Sequence, residues 1–279
     1  MIELGKIQKL EVLRETSIGV YLNSKDSSDM EGVLLPQKQV PEGTKVGDEI
    51  EVFIYKDSKD RLISTTRTPK ITLGEMAPLK VVETTKIGAF LDWGLEKDLF
   101  LPFNEQNGRV KKDKEYLVAL YIDKSNRLCA TMKLYSRLSS EAPYKEKDIV
   151  QGIIYDIRPE VGAFVAVDNE YQGLIPKAEF FGQYSCGDRI QARVSKVKED
   201  GKLDLSLRKE AYMEIETDAK VILDKLEANG GELYLNDKSS PEAIYNVMKM
   251  SKAAFKRAVG NLLKQGKIRF IENGIELIK

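Results

Sequence analysis

The chain has 279 residues, 42% of them hydrophobic and 32% charged, with 44 basic side chains against 44 acidic ones. That composition fits a folded chain of about two domains and excludes the disordered, collagenous and membrane-spanning classes. Histidine is absent and cysteine occurs twice, which excludes serine and cysteine triads, histidine acid–base catalysis, His-containing zinc sites and zinc ribbons.

Cys129 and Cys186 stand 57 residues apart with no CxxC motif, so they read as free thiols in a reducing cytoplasm. The start, Met1-Ile-Glu-Leu-Gly-Lys6, has no basic region followed by an apolar core, and no secretory signal is expected.

An internal repeat organises the first three quarters of the chain. One phrase occurs as Ile18-Gly-Val-Tyr-Leu22, Ile87-Gly-Ala-Phe-Leu91 and Val161-Gly-Ala-Phe-Val165. Leu34-Leu-Pro36, Phe100-Leu-Pro102 and Leu174-Ile-Pro176 follow at Gly-to-Pro spacings of 17, 14 and 14. Gly47-Asp48, Lys112-Asp113 and Gly187-Asp188 come 12, 11 and 12 residues after the proline. The fourth mark is Arg61-Leu-Ile-Ser-Thr65, Arg127-Leu-Cys-Ala-Thr131 and Lys202-Leu-Asp-Leu-Ser206. The units span 1–67, 68–145 and 146–210.

Each unit reads as strands. Ile190 to Val197 alternates as a half-buried strand, and Asp200-Gly201 marks a hairpin into Leu203 to Leu207. Five short strands with a longer excursion after the third suit a small closed barrel, the OB-fold. Gly19, Gly88 and Gly162 are expected where the barrel bends or bulges. The stretch 134–143, between the second and third units, has room for one helical turn.

Residues 211–279 change character. Ile215, Val221, Ile222, Leu223 and Leu226 recur at helical spacing until Asn229-Gly-Gly231. Ser240-Pro241 caps and opens a second helix through Met248. Ser251 caps a third, with Phe255, Val259, Leu262 and Leu263 apolar and Gly266 at its end. Ile268 to Ile271 and Ile275 to Ile278 flank Glu272-Asn-Gly274, the Asn-Gly hairpin signal. Three helices and a two-stranded wing predict a winged helix-turn-helix. The fold class is therefore mostly β: three tandem OB-fold barrels followed by an α+β winged helix at 211–279.

No acidic residue lies between Glu242 and Glu272, while Lys249, Lys252, Lys256, Arg257, Lys264, Lys267 and Arg269 do. This is the electrostatic footprint of a polyanion site, or a solvated face. Lys252 and Lys256 are one turn apart on the third helix, the recognition element of a winged helix.

The repeat resembles the S1-type RNA-binding domain, an OB-fold, on Val161-Gly-Ala-Phe-Val165, Gly173-Leu-Ile175, Gly187-Asp188 and Leu203 to Ser206. Three such units and a winged helix are together similar to the conserved virulence factor B family of Gram-positive bacteria, across the whole chain. That resemblance implies a cytoplasmic, non-catalytic RNA-binding regulator of virulence-gene expression. It implies that the Phe of Gly-Ala-Phe lies on an exposed face and stacks on a base, matching Phe90 and Phe164. In the first unit the matching position is read as Val20, which cannot stack. An Asp and a basic residue framing the last hairpin match Asp57/Arg61 and Asp123/Arg127, and become Lys198/Lys202 in the third unit. Where the family often carries an RNA-contacting histidine, this chain has Pro36, Pro102 and Pro176.

Strand alternation alone leaves Phe90 and Phe164 either core or stacking residues. Trp93, beside Gly94, is expected to pack locally. Arg189 and Arg193 share one strand face, and Lys196 and Lys198 the other if no bulge intervenes. The expected RNA contacts are Phe90, Asp123, Arg127, Phe164, Arg193, Lys198 and Lys202, with Lys252, Lys256, Arg257, Lys264, Lys267 and Arg269 from the winged helix. Acid pairs such as Asp168/Glu170 read as solvated turns. No P-loop, dinucleotide or nucleophile motif is present, so no enzyme, cofactor or metal is expected.

The expected ligand is single-stranded RNA, bound by a monomer away from membranes, with ribosomal or RNA-processing proteins as further partners. One stack is worth roughly 1–3 kcal/mol per base, so several modules must share a strand. The rival readings are a protein-docking adaptor on a ribosome, ribonuclease or polymerase, and DNA binding by the winged helix.

Overall fold

Alternation places Leu10 and Val12 of β1 (Ile7–Thr16) in a core and Lys9 in solvent. β2 (Gly19–Asn23), β3 (Val33–Pro36), β4 (Glu49–Lys56) and β5 (Leu62–Thr65) complete a closed barrel in the order β1-β2-β3-β5-β4. β3 and β5 run parallel, and the other pairs antiparallel. This is the OB arrangement. β6 (Met76–Thr84), β7 (Gly88–Asp92), β8 (Leu99–Pro102), β9 (Glu115–Ile122) and β10 (Leu128–Thr131) repeat it, with β8 and β10 side by side. β11 (Ile149–Arg158), β12 (Gly162–Val167), β13 (Tyr171–Pro176), β14 (Arg189–Val197) and β15 (Leu203–Ser206) close the third barrel. The computed structural model describes residues 2–25, 32–207 and 211–278, the side chains of 211–217 apart.

The three glycines that open β2, β7 and β12 sit at a close approach of two backbones, and Gly19 and Gly162 also adopt φ of 143° and 131°. A Cβ on Gly19, Gly88 or Gly162 would lie 2.0, 2.4 or 2.0 Å from the carbonyl oxygen of Leu35, Leu101 or Ile175 on the paired strand. The repeat keeps glycine because two backbones meet there. The third landmark lies one residue later in the second unit than its sequence suggests. Gly47, Asp113 and Gly187 donate their N–H to Val12, Val81 and Ile154 respectively. Asp113-Lys114, not Lys112-Asp113, therefore matches Gly47-Asp48, and Asp113 adopts φ 66° where the other units have glycine.

The first strand of every barrel carries a bulge, at Leu13, Val82 and Tyr155. It re-aims the following residue across from the second strand, pairing Arg14 with Tyr21, Glu83 with Phe90 and Asp156 with Phe164.

The barrels share apolar seams. Phe53 and Tyr55 of β4 pack into the second barrel's core with Ile71, Trp93 and Leu95. The Phe53 and Trp93 rings meet edge to face at 5.6 Å, and the Trp93 indole donates to the Lys97 carbonyl, so Trp93 is a packing residue. Leu117, Ala119, Leu134, Leu138 and Ile153 join the second barrel to the third. Lys114 pairs with Asp188 across that seam at 2.8 Å, and Arg189 with Glu115 at 3.3 Å. Between them, the stretch after β10 makes one turn, with Leu138 N–H bonded to the Leu134 carbonyl.

Residues Arg208–Lys279 form a separate compact unit. α1 (Ala211–Ala228) buries Ile222 and Leu226 and ends before Gly230, while the side chain of Ile215 falls outside the described set. α2 (Pro241–Met248) starts on Ser240, whose hydroxyl accepts from Ala243 N–H, with Pro241 in its first turn. α3 (Lys252–Lys264) starts on Ser251 in the same way and buries Phe255, Ala258, Val259 and Leu262. The wing has three strands rather than two. β16 (Glu232–Leu233) pairs with β18 (Gly274–Leu277), which pairs with β17 (Ile268–Ile271). The hairpin turns on Glu272 and Asn273, and Gly274 is needed because a Cβ there would lie 2.2 Å from the Leu233 carbonyl. Among the described residues no helix is long and apolar enough to cross a membrane.

Candidate nucleic-acid interface

The outward-facing aromatic of the second strand is half-buried in all three barrels: Tyr21, Phe90 and Phe164. Val20 is 3% exposed and belongs to the first core. The equivalent of Phe90 is therefore Tyr21, and the first barrel does carry an aromatic. Its partner Arg14 lies 4.4 Å from the Tyr21 ring centre.

On the second barrel Phe90 and Phe100 lie 5.4 Å apart with planes tilted by 42°. They face a cavity of about 350 Å3 that also brings Asp123 and Arg127 together. Asp123 accepts from the Arg127 backbone N–H at 2.9 Å, closing the hairpin. The Arg127 guanidinium reaches away, to Asp60 of the first barrel. In the first barrel Asp57 instead holds Arg61 itself, at 2.7 Å. Burial, then Asp123, pushes the Cys129 thiol up to about 11, so this thiol on the cavity wall is unreactive.

On the third barrel Phe164 is surrounded. The Arg158 guanidinium lies 4.9 Å from its ring centre, Tyr135 meets it edge to face at 6.0 Å, and Tyr155 stands at 6.2 Å. A cavity of about 60 Å3 beside it is lined by Phe164, Lys198 and Lys202. Lys198 pairs with Asp204 at 3.0 Å and Lys202 with Asp200 at 2.6 Å. A bulge does intervene in β14, at Ser195. With Val194 and Val197 both turned to the core, Lys196 moves to the outer face that Arg193 occupies. Arg193 is half-buried opposite Ile149 and Ser206 and stands apart from the Phe164 cavity.

Sequence reasoning missed Tyr135 and Arg158, while Tyr155 is 3% exposed and belongs to the seam between the second and third barrels. Tyr135 sits in the connecting stretch, outside any repeat phrase. The Gln172 side chain holds it there by donating to the Tyr135 and Leu138 carbonyls at 2.8 and 3.0 Å.

In the last unit Lys256, Arg257 and Lys264 are exposed on α3, with Lys252 half-buried and Lys267 exposed just beyond the helix. Among the described residues these five pair with no carboxylate. Arg269 does, with Glu276 on the neighbouring strand. Gly260 lies on the same exposed face.

Comparison with known proteins agrees with this layout. The S1 domain family matches residues 4–67 and 73–133, the S1 RNA binding domain family 144–208, and the CvfB-like winged helix domain family 220–277. An uncharacterized protein, YitL, of Bacillus subtilis is 33% identical over 97% of this chain and 92% of its own length. Conserved virulence factor B of Staphylococcus aureus N315 is 31% identical over the same shares. A crystal structure of a multidomain protein with nucleic acid binding domains from Streptococcus pneumoniae covers 99% of this chain and 98% of its own, at 28% identity and a TM-score of 0.54. Three S1 barrels, a winged helix of the CvfB type and full-length relatives place this chain in the conserved virulence factor B family.

Proposed function

We propose that the protein is a non-catalytic, cytoplasmic regulator that binds single-stranded RNA. Aromatic platforms on the barrels would stack bases, and the basic face of α3 would neutralise phosphates. The observation that carries this reading is the third-barrel cluster, where Phe164 and Tyr135 stand beside Arg158, Lys198 and Lys202, with the buried Tyr155 beneath. Rings next to cations are the combination that holds a single strand with little sequence preference. Arg14 over Tyr21 extends the same chemistry to the first barrel.

The test is fluorescence anisotropy of a labelled single-stranded RNA against the full chain across a salt series. Neutralising about four phosphates gives a log–log slope of about −2.8. The Phe164→Ala/Lys256→Ala double variant should bind more weakly. Weak binding with no salt dependence, unchanged in the double variant, would overturn the reading and favour protein docking.

A further inference from the structure

The largest chemical variety on the barrels is not on one barrel. It is in the cavity that the β4–β5 hairpin of the first barrel forms with the outer face of the second. Lys56, Ser58 and Asp60 supply one wall, and Phe90 with Phe100 the other. Asp60 is tied across to Arg127, and the Lys97 ammonium donates to the Asp57 carbonyl at 3.2 Å. The seam of Phe53, Tyr55 and Trp93 lies beneath. The wall is thus fixed in place by packing and by polar bonds on both sides. At about 350 Å3 the space falls in the range of small-ligand pockets.

One lining group is out of balance. Asp98 is half-buried at the edge of β8 and, among the described residues, pairs with no cation or hydrogen-bond donor. Burial, with Asp92 and Glu83 nearby, raises its carboxyl above the ordinary range. A carboxylate in such a place is relieved by a ligand that brings N–H groups to it. Beside two aromatic rings, that ligand is a flat base. Guanine offers two adjacent donors, N1–H and the 2-amino group, to the two oxygens of one carboxylate. Adenine offers only its 6-amino group on the corresponding edge.

We infer that the first two barrels together form a guanine pocket, in which Phe90 and Phe100 take the base and Asp98 reads its donor edge. The proposal deepens the RNA-binding reading and rests on it for the strand. A base within RNA and a free guanine nucleotide share this chemistry, so the test has an arm for each.

In the first arm, GMP and AMP are titrated into the full chain and followed by NMR. GMP should bind at least about tenfold more tightly, since each donor pairing the wrong base lacks leaves an oxygen of the half-buried Asp98 carboxylate unmatched within the cavity. Asp98→Asn should remove the preference while unfolding at the same or a higher temperature than the parent chain, and Phe90→Ala should weaken both nucleotides. In the second arm, labelled oligonucleotides of equal length with and without guanine are compared at fixed salt. A guanine preference that disappears in Asp98→Asn supports the pocket within a strand. GMP selectivity without any RNA preference supports a free-nucleotide site and removes the strand from the proposal. RNA binding that is indifferent to guanine, together with equal GMP and AMP binding, overturns the pocket and leaves RNA binding standing. GMP selectivity with no RNA binding at all overturns RNA binding and leaves the pocket. Should Asp98→Asn fail to fold, Asp98→Ser serves as the second variant and should likewise bring GMP and AMP binding to parity.

Discussion

The Tyr135 ring, from the stretch joining the second and third barrels, stands edge to face with Phe164 at 6.0 Å and 85°. The Lys202 ammonium lies 5.7 Å from the Tyr135 ring centre. Tyr135 is 47% exposed in spite of both contacts. The connecting stretch therefore adds a surface to the third barrel that the barrel's own strands do not encode.

If Tyr135 extends the platform, Tyr135→Ala should lose one stacking partner. The expected loss is about 1–3 kcal/mol of RNA affinity. Folding should survive, because Gln172 bonds the backbone carbonyl of residue 135, which the substitution keeps. Fluorescence anisotropy of the variant against a labelled single strand reads this. Tighter binding would mean the ring occupies the place of a base.

The cations of the last unit divide into free and paired ones, and the salt dependence should follow that division. Lys256 and Lys264 are exposed on α3, whereas Arg269 is held by Glu276. Removing a cation that neutralises one phosphate should reduce the log–log salt slope by about 0.7 for a single strand. Lys256→Ala/Lys264→Ala should thus flatten it by about 1.4, and Arg269→Ala should change it less. A slope unchanged in the α3 pair but flattened in Arg269→Ala would show that the wing, not α3, carries the phosphates.

The bridge between Lys114 and Asp188 gives the seam of the second and third barrels a pH dependence. Burial alone would raise the Asp188 carboxyl, but Lys114 and the Ser185 N–H hold it below its ordinary value of 3.8. A carboxyl lowered on folding stabilises the fold above its unfolded pKa, near ~3.9. That contribution disappears as pH falls through the lowered value. Denaturant unfolding should therefore find Asp188→Asn weaker than the parent chain at pH 7 by about 1 kcal/mol or less, as suits a partly exposed pair. The gap should narrow as pH falls below the ordinary carboxyl range and close only below the lowered Asp188 value. A gap that persists there would assign the loss to packing rather than charge.

The barrels and the winged helix were legible because their signals are local. Ser240-Pro241 and Ser251 name helix starts, and the glycine of each Gly-to-Pro phrase marks a place where two strand backbones touch. What stayed hidden depends on register or on distance. The first unit's aromatic is Tyr21 and not Val20, since the shared glycine fixes the count and the bulge at Leu13 fixes the face. Lys196 changes sides through one extra residue, Ser195, which no composition rule marks. Tyr135 reaches Phe164 across 29 positions of chain. Asp98 and Asp60 meet one cavity only because two barrels are packed together, so their joint role has no motif.

Gly260 offers a test in which stability and binding should move in opposite directions. It sits inside α3 on the exposed face that carries Lys256, Arg257 and Lys264, and a Cβ built there meets nothing within 4 Å. Its backbone is helical and needs no glycine. An interior helical glycine costs about 1 kcal/mol relative to alanine, and nothing in the fold of this unit recovers that cost. Gly260→Ala should therefore stabilise the winged helix by up to about 1 kcal/mol, which for a unit of this size raises its melting temperature by roughly 4–8 °C. If a nucleic-acid backbone approaches α3 closely, the added methyl group should stand in its way, and RNA affinity should fall as stability rises. Calorimetry and anisotropy on the same full-length variant separate the two effects. A more stable variant with unchanged affinity would remove this face of α3 from the interface and leave its lysines as a solvated surface.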